Sequence, residues 1–197
     1  MKTIIWDVDD VLNDLMRAWL GEAWLSYHPE SSIRYSDIVE NPPHKILGVT
    51  LEVYRRSLDA FRSACLMKLS PIPEVEAWFK ANGHRFRNIV LTTVPLRASG
   101  LQAAWVFKHF GLWIRSFNVV PSPRPEESLP IYDTTKYDFL KWLGKADILV
   151  DDNPENLNAA KDLGLRTVMI PRPWNCGQIA LADLLGSLPG LARTSIK

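Results

Sequence analysis

Five short runs rich in β-branched and other apolar residues recur along the chain: Thr3-Ile4-Ile5-Trp6, Ile89-Val90-Leu91, Phe117-Asn118-Val119-Val120, Ile148-Leu149-Val150 and Thr167-Val168-Met169-Ile170. Each is continuous rather than alternating, as in strands covered on both faces. Between them the apolar spacing turns helical. From Pro73 to Asn82, the residues Val75, Trp78 and Phe79 fall at i, i+3 and i+4, and Gly83 follows as a stop signal. The stretches Arg97 to Phe110, Thr134 to Leu143 and Pro154 to Leu163, closed by Gly111, Gly144 and Gly164, repeat the scheme. Strand and helix in alternation predict an α/β fold, a parallel sheet with helices on both faces.

Two intervals break the rhythm. After the first strand, Leu12, Leu15, Met16, Trp19, Leu20, Ala23, Trp24 and Tyr27 keep helical spacing until His28-Pro29 ends it. A second helical stretch covers Leu51 to Met67, after the Asn41-Pro42-Pro43 turn. Residues 13–72 are therefore expected to form a small helical cap, joined through Ser70-Pro71-Ile72-Pro73 to a core made of residues 1–12 and 73–197. The other interval, Pro121 to Asp133, holds four prolines in thirteen residues. Loops of that length in a compact domain are usually functional or mobile.

Composition narrows the partner. The 197 residues suit one core plus an insertion. Lysine and arginine total 23 and aspartate and glutamate 22, which argues against a broad basic footprint for polymeric nucleic acid and points to a small ligand. Cys65 and Cys176 lie far apart in no CxxC pairing and are expected to be reduced thiols. No apolar run approaches a membrane span, and Met1-Lys2 leads straight into strand-like sequence, so no membrane is expected and a cytoplasmic location is the default.

The chemistry lies at the strand ends. The first strand runs into Asp7-Val8-Asp9-Asp10, and the fourth into Asp151-Asp152-Asn153-Pro154. In open parallel sheets the carboxyl ends of strands line the ligand crevice. Either group alone has a plain alternative, since Asp152 or Asn153 can simply cap the helix that starts at Pro154. Together they crowd carboxylates that raise one another's pKa unless a cation neutralises them. A hard divalent ion with oxygen ligands, Mg²⁺ above all where phosphate is also met, is the expected neutraliser. Thr92 closes the second strand, where its hydroxyl can meet a phosphate oxygen or merely cap a helix. Lys136 opens a helix, a position the helix dipole disfavours for a cation, which suits a lysine facing an anion; a solvated surface lysine is the plain alternative.

The ordered set Asp7-x-Asp9, Thr92, Lys136 and Asp151-Asp152 resembles the four motifs of the haloacid dehalogenase (HAD) superfamily of phosphotransferases, and the match spans essentially the whole chain. The resemblance implies a Rossmann-like, three-layer parallel sheet with strand order 5-4-1-2-3 and a cap inserted after strand 1. The segments Leu91-Thr92-Thr93-Val94-Pro95, Ala104 to Gly111, Ala146 to Asp152 and Arg172-Pro173-Trp174-Asn175 look like the 5'(3')-deoxyribonucleotidase branch. That branch implies a nucleoside monophosphate as substrate, under a helical cap with aromatic side chains. Two positions depart from it: Asp10 stands where the branch usually has Gly, and Leu15 where an aromatic commonly stacks on the base.

By the same resemblance, Asp7 is the nucleophile that forms an aspartyl phosphate, and Asp9 the acid and base. Mg²⁺ is held by the Asp7 carboxylate, the Asp9 backbone carbonyl and Asp151, with Asp152 acting through water. Thr92, Thr93 and Lys136 bind the phosphoryl group, with Lys141 a nearby alternative for the lysine. Trp19 and Trp24 of the cap are expected to cover a ring-bearing substrate. Competing expectations are a phosphatase for a sugar phosphate or another small phosphomonoester, a receiver-like phosphoacceptor, and a non-catalytic binding protein, as monomer or homodimer. Trp78, Trp105, Trp113 and Trp142 are expected to fill the core, His28 to cap a helix end, and Arg124 to be solvated.

Overall fold

A computed structural model describes residues 1–130, 132–175 and 177–191; Cys176 falls outside them. At its centre is a parallel sheet of β1 (Thr3–Trp6), β2 (Arg87–Val94), β3 (Ile114–Pro121), β4 (Ile148–Asp151) and β5 (Arg166–Met169). The strand order is β3-β2-β1-β4-β5, the expected order seen from the other edge. All four residues of β1 are buried, as its continuous apolar run requires of a central strand. Alternation along the strands splits the core in two. Ile4, Trp6, Val90, Ile148 and Val150 face one side, while Ile5, Ile89, Leu91 and Leu149 face the other.

Helices α1 (Leu15–Trp19), α2 (Leu25–Tyr27) and α3 (Leu51–Cys65) follow β1, and α4 (Pro73–Asn82), α5 (Leu96–Phe110), α6 (Lys136–Leu143), α7 (Pro154–Asp162) and α8 (Leu181–Leu191) are the later α-helices among the described residues. α4, α5 and α8 cover the Trp6 face, and α6 and α7 the Ile5 face, giving three layers. α8 escaped sequence analysis because Gly186, Pro189 and Gly190 interrupt it, yet Leu185 and Leu188 are fully in the core. α6 begins two residues later than its apolar spacing suggested. Thr135 caps it by accepting from the Asp138 N–H, and the Asp138 side chain returns to the Thr135 N–H. Gly144 ends it in the left-handed conformation at φ 64°.

The segment between β1 and α4 has its own apolar cluster, built from Leu15, Met16, Trp19, Leu20, Trp24, Ile38, Tyr54, Leu58 and Phe61. A π-helical stretch, Leu20–Trp24, joins α1 to α2. The two chain crossings at its base are tied together: the Ile72 N–H donates to the Leu12 carbonyl at 2.9 Å, and Asn13 bridges Pro71. Trp142 departs from expectation, being 75% exposed. Lys136, Phe139 and Leu140 occupy the inward face of α6, and the helical repeat puts Trp142 about a third of a turn away from it.

Candidate active site

The parallel register aligns the ends of β1, β2 and β4. Trp6 pairs with both Val90 and Val150, and the Asp7 N–H donates to the Val150 carbonyl at 3.0 Å. Asp7, Thr92 and Asp151 thus emerge on one edge of the sheet, with Asp152 beside them. The turn after β1 is held by the Val8 carbonyl, which accepts from the N–H groups of Val11, Leu12 and Asn13. Asp10 takes φ 61° in that turn and is the one non-glycine residue with positive φ among the described residues. Asp tolerates the left-handed region better than most side chains, so the turn forms here without a glycine. The Asp10 carboxylate accepts from the Met16 N–H at 2.9 Å and anchors the start of α1.

Lys136 is buried to 2% exposure and lies between two acids, with its Nζ 3.0 Å from Asp7 Oδ2 and 2.7 Å from Asp151 Oδ2. Burial alone would lower the ammonium's pKa, but Asp151 and Asp7 outweigh it and raise it, so Lys136 stays charged. Lys141 is exposed and sits over the Tyr137 ring instead. Asp151 is oriented further by the Asn153 N–H at 2.8 Å and by the Asn156 amide. Asp152 accepts from the Trp174 indole N–H at 2.7 Å. Burial pushes the Asp7 carboxyl up to about 6, with Lys136 opposing and Asp151 adding to the rise. Burial and the neighbouring Asp151 also raise Asp152 well above the usual carboxylate range.

These facts test the expected cation. Asp7, Asp151 and Asp152 each offer one carboxylate oxygen, all within 4.8 Å of one another. Asp7 Oδ1 is buried with no hydrogen-bond partner, although buried acceptors are nearly always satisfied. Three carboxylates face one ammonium. An all-oxygen set with surplus negative charge fits a hard divalent ion such as Mg²⁺.

A cavity of about 190 Å³ opens over this edge. The core lines it with Asp7, Asp9, Asp10, Thr92, Thr93, Lys136 and Asp152, and the inserted helices with Leu15, Met16, Tyr54, Leu58 and Arg62. The Asp9 carboxylate has partners of its own. Its Oδ2 accepts from Arg62 Nη2 at 2.9 Å and Nε at 3.2 Å, and its Oδ1 from the Gln102 amide at 2.8 Å.

Trp19 and Trp24 do not reach the cavity, which corrects the expectation that they cover a substrate. Trp19 is fully buried, packs edge-on to Tyr54 and donates to the Ser57 hydroxyl; Trp24 stacks on the His28 ring at 3.9 Å. Both face the apolar interior of their own helices, where an indole contributes most. Arg124 is likewise buried rather than solvated, held on the Asp59 carboxylate. Sequence analysis missed Arg62, Tyr54 and Gln102. The signal for Arg62 was a charge on the apolar stripe of α3, next to Phe61 and four residues beyond Leu58; such a charge needs a buried partner.

By sequence, the chain matches no family model and no curated protein. By structure it resembles a haloacid dehalogenase-like family hydrolase from Streptococcus pneumoniae at 15% identity and TM-score 0.56, over 95% of this chain and 91% of that one. A HAD-superfamily hydrolase of subfamily IA from Geobacter sulfurreducens aligns at 14% identity and TM-score 0.52, over 86% of each chain. Protein Tyrosine Kinase A of Mycobacterium tuberculosis aligns at 17% identity and TM-score 0.63, over 92% and 88%. The fold is thus HAD-like, with helices inserted after β1. Among the described residues no helix is long and apolar enough to cross a membrane.

Proposed function

We propose that this protein is a Mg²⁺-dependent phosphomonoester hydrolase that works through an aspartyl phosphate on Asp7. The observation that carries it is the buried edge where Asp7, with one oxygen unpartnered, meets Lys136, Asp151 and Asp152 beneath a polar cavity. An Asp7 oxygen attacks phosphorus, the phosphorus–oxygen ester bond breaks, and the leaving alkoxide takes a proton from Asp9. Asp9, now anionic, accepts a proton from the water that attacks the aspartyl phosphate, which releases inorganic phosphate and restores Asp7. Thr92, Thr93 and Lys136 hold the phosphoryl oxygens, and the fixed ammonium offsets charge as bond order shifts. Asp7, the Asp9 carbonyl, Asp151 and Asp152 would hold Mg²⁺, which when bound neutralises the acids and polarises the phosphoryl group.

The resemblance to deoxyribonucleotidases favours a nucleoside monophosphate, for which Tyr54 is the ring on the cavity wall. A second substrate class, a sugar phosphate or another small phosphomonoester, is favoured by the cavity itself. At about 190 Å³ it is smaller than the ~300–1,000 Å³ usual for ligand pockets.

Released phosphate measured across nucleoside monophosphates, sugar phosphates and an aryl phosphate, with Mg²⁺ and with EDTA, tests both levels. Turnover that needs Mg²⁺ is expected, and the preferred substrate decides between the two classes. Absence of phosphate release from every compound overturns the hydrolase reading.

A further inference from the structure

Behind the cavity wall runs a buried row of alternating charges. Arg62 binds Asp9 through Nε and Nη2, and its Nη1 donates to Asp59 Oδ1 at 3.0 Å. On the far side, Arg124 grips the same Asp59 carboxylate with two bonds, Nε to Oδ2 at 2.7 Å and Nη2 to Oδ1 at 3.1 Å. Arg97 at the start of α5 adds a bond to Asp59 at 3.2 Å and is itself held by Glu126 and Glu127. The side chains of Arg62, Asp59 and Arg124 are each less than 10% exposed. Asp59 and Arg124 do not border the active-site cavity; both line a separate depression on the outside of α3.

Three separate segments meet in this row: the turn after β1 with Asp9, α3 of the inserted helices, and the proline-bearing loop after β3. Arg124 is anchored within its own loop by the Ser122 hydroxyl at 2.8 Å and by the Ser122 and Pro123 carbonyls. Loop position is thereby transmitted to Asp59, from Asp59 to the Arg62 guanidinium, and from Arg62 to the Asp9 carboxylate. A planar guanidinium fixed on two carboxylates has little freedom to turn, so its hold on Asp9 depends on how Asp59 is shared. Buried ion pairs are poor sources of net stability, which makes orientation the property this row most plainly supplies.

We propose that Asp59 and Arg124 are positioning residues for the reaction: by fixing Arg62 they set the orientation of Asp9, and the Ser122-Pro123-Arg124 segment after β3 thereby governs the proton-transfer step. Loss of Arg124 draws the Arg62 guanidinium toward the undercompensated Asp59 and loosens its hold on Asp9. The inference rests on the hydrolase reading above, with Asp9 as acid and base.

The test is steady-state kinetics of the full chain with Mg²⁺ on an aryl phosphate, for the wild type, Arg124→Lys, Arg124→Gln, Arg62→Ala and the Arg62→Ala/Arg124→Gln double variant. Arg124→Gln is expected to lower kcat about tenfold and Arg124→Lys, which keeps the charge but not the two-bond grip on Asp59, about threefold, each with KM within about twofold. In the double variant the second change is expected to cost less than about twofold beyond Arg62→Ala, since coupled residues are non-additive. Should Arg124→Gln fail to fold by circular dichroism, the Arg124→Lys result decides. Wild-type kcat in Arg124→Lys, a change in KM alone, or full additivity overturns the proposal while the hydrolase reading stands. A wild type that releases no phosphate overturns both.

Discussion

Two buried charge clusters lie on either side of the same cavity, and they differ in balance. At the sheet edge, Asp7, Asp151 and Asp152 face Lys136 alone, and Asp7 Oδ1 is left without a partner. Along the seam with α3, the innermost ions balance, Asp9 and Asp59 against Arg62 and Arg124, while Arg97 on the rim joins Asp59 to Glu126 and Glu127. Both clusters bear the cost of desolvating ions. The first leaves negative charge over at the cavity, and a surplus there is what recruits a cation and then an anionic substrate. In the second, the carboxylates of Asp9 and Asp59 are already gripped by guanidinium groups, which hold the side chains in place.

The sharpest way to break this contrast is to remove one acid from the surplus. Asp7→Asn is expected to lower phosphate release by at least ~10⁴-fold while leaving thermal stability unchanged or raised, because the neutral amide relieves crowding. A variant that keeps turnover, or one that unfolds, would defeat the comparison at its root. Removing one charge from the balanced cluster is expected to do the reverse in stability. Arg62→Ala leaves Asp9 and Asp59 undercompensated and is predicted to cost roughly 3–5 kcal/mol in denaturant unfolding, as breaking a buried pair does, with a smaller loss of kcat than Asp7→Asn.

The third expectation concerns pH. Burial, as the largest influence, raises the Asp7 carboxyl to about 6 and the Asp10 carboxyl to about 7 from an ordinary value of 3.8. Groups raised in the folded state add stability that is fully present below the unfolded pKa and is lost as pH climbs through the folded one. The metal-free protein should therefore lose this contribution between about pH 4 and pH 7. The rise in Tm on adding Mg²⁺ should be larger at pH 8 than at pH 5, and an equal rise at both would contradict the surplus-charge account. The smallest effect is expected from the indole once expected over the substrate. Trp19→Phe forfeits its bond to Ser57, about 1 kcal/mol, and should leave kcat/KM within about twofold, whereas Tyr54→Ala should raise KM.

The elements were largely legible because their signals are local. A short, continuous, β-branched apolar run such as Ile148-Leu149-Val150 suits a doubly covered strand, and the stop at Gly144 has a conformational cause at φ 64°. α8 was not legible, since two glycines and a proline mask the run in which Leu185 and Leu188 pack. Within the site, Asp7, Asp151 and Asp152 could be picked out because they stand at or just after a strand's end, and Lys136 because it opens a helix; Thr92, expected to close its strand, lies within β2, which runs on to Val94. Arg62, Gln102 and Arg124 could not be placed, because their partners are 53, 93 and 65 residues away in sequence.

What the sequence determined by itself, then, is the alternation of strand and helix and the gathering of acids at one edge, since both follow from short-range patterning and the parallel sheet. The tertiary structure alone decided which cap residues face the cavity. Helical spacing says that Trp19 and Trp24 share an apolar stripe, but a stripe can turn to the cap's interior or to the substrate. The choice was made by the packing of α1 and the Leu20–Trp24 stretch with α3 in one apolar cluster, which encloses both indoles and presents Tyr54, Leu58 and Arg62 instead. It likewise converted Arg124 from a charge in a loop to a buried partner of Asp59, because only the folded chain brings a carboxylate there to neutralise it.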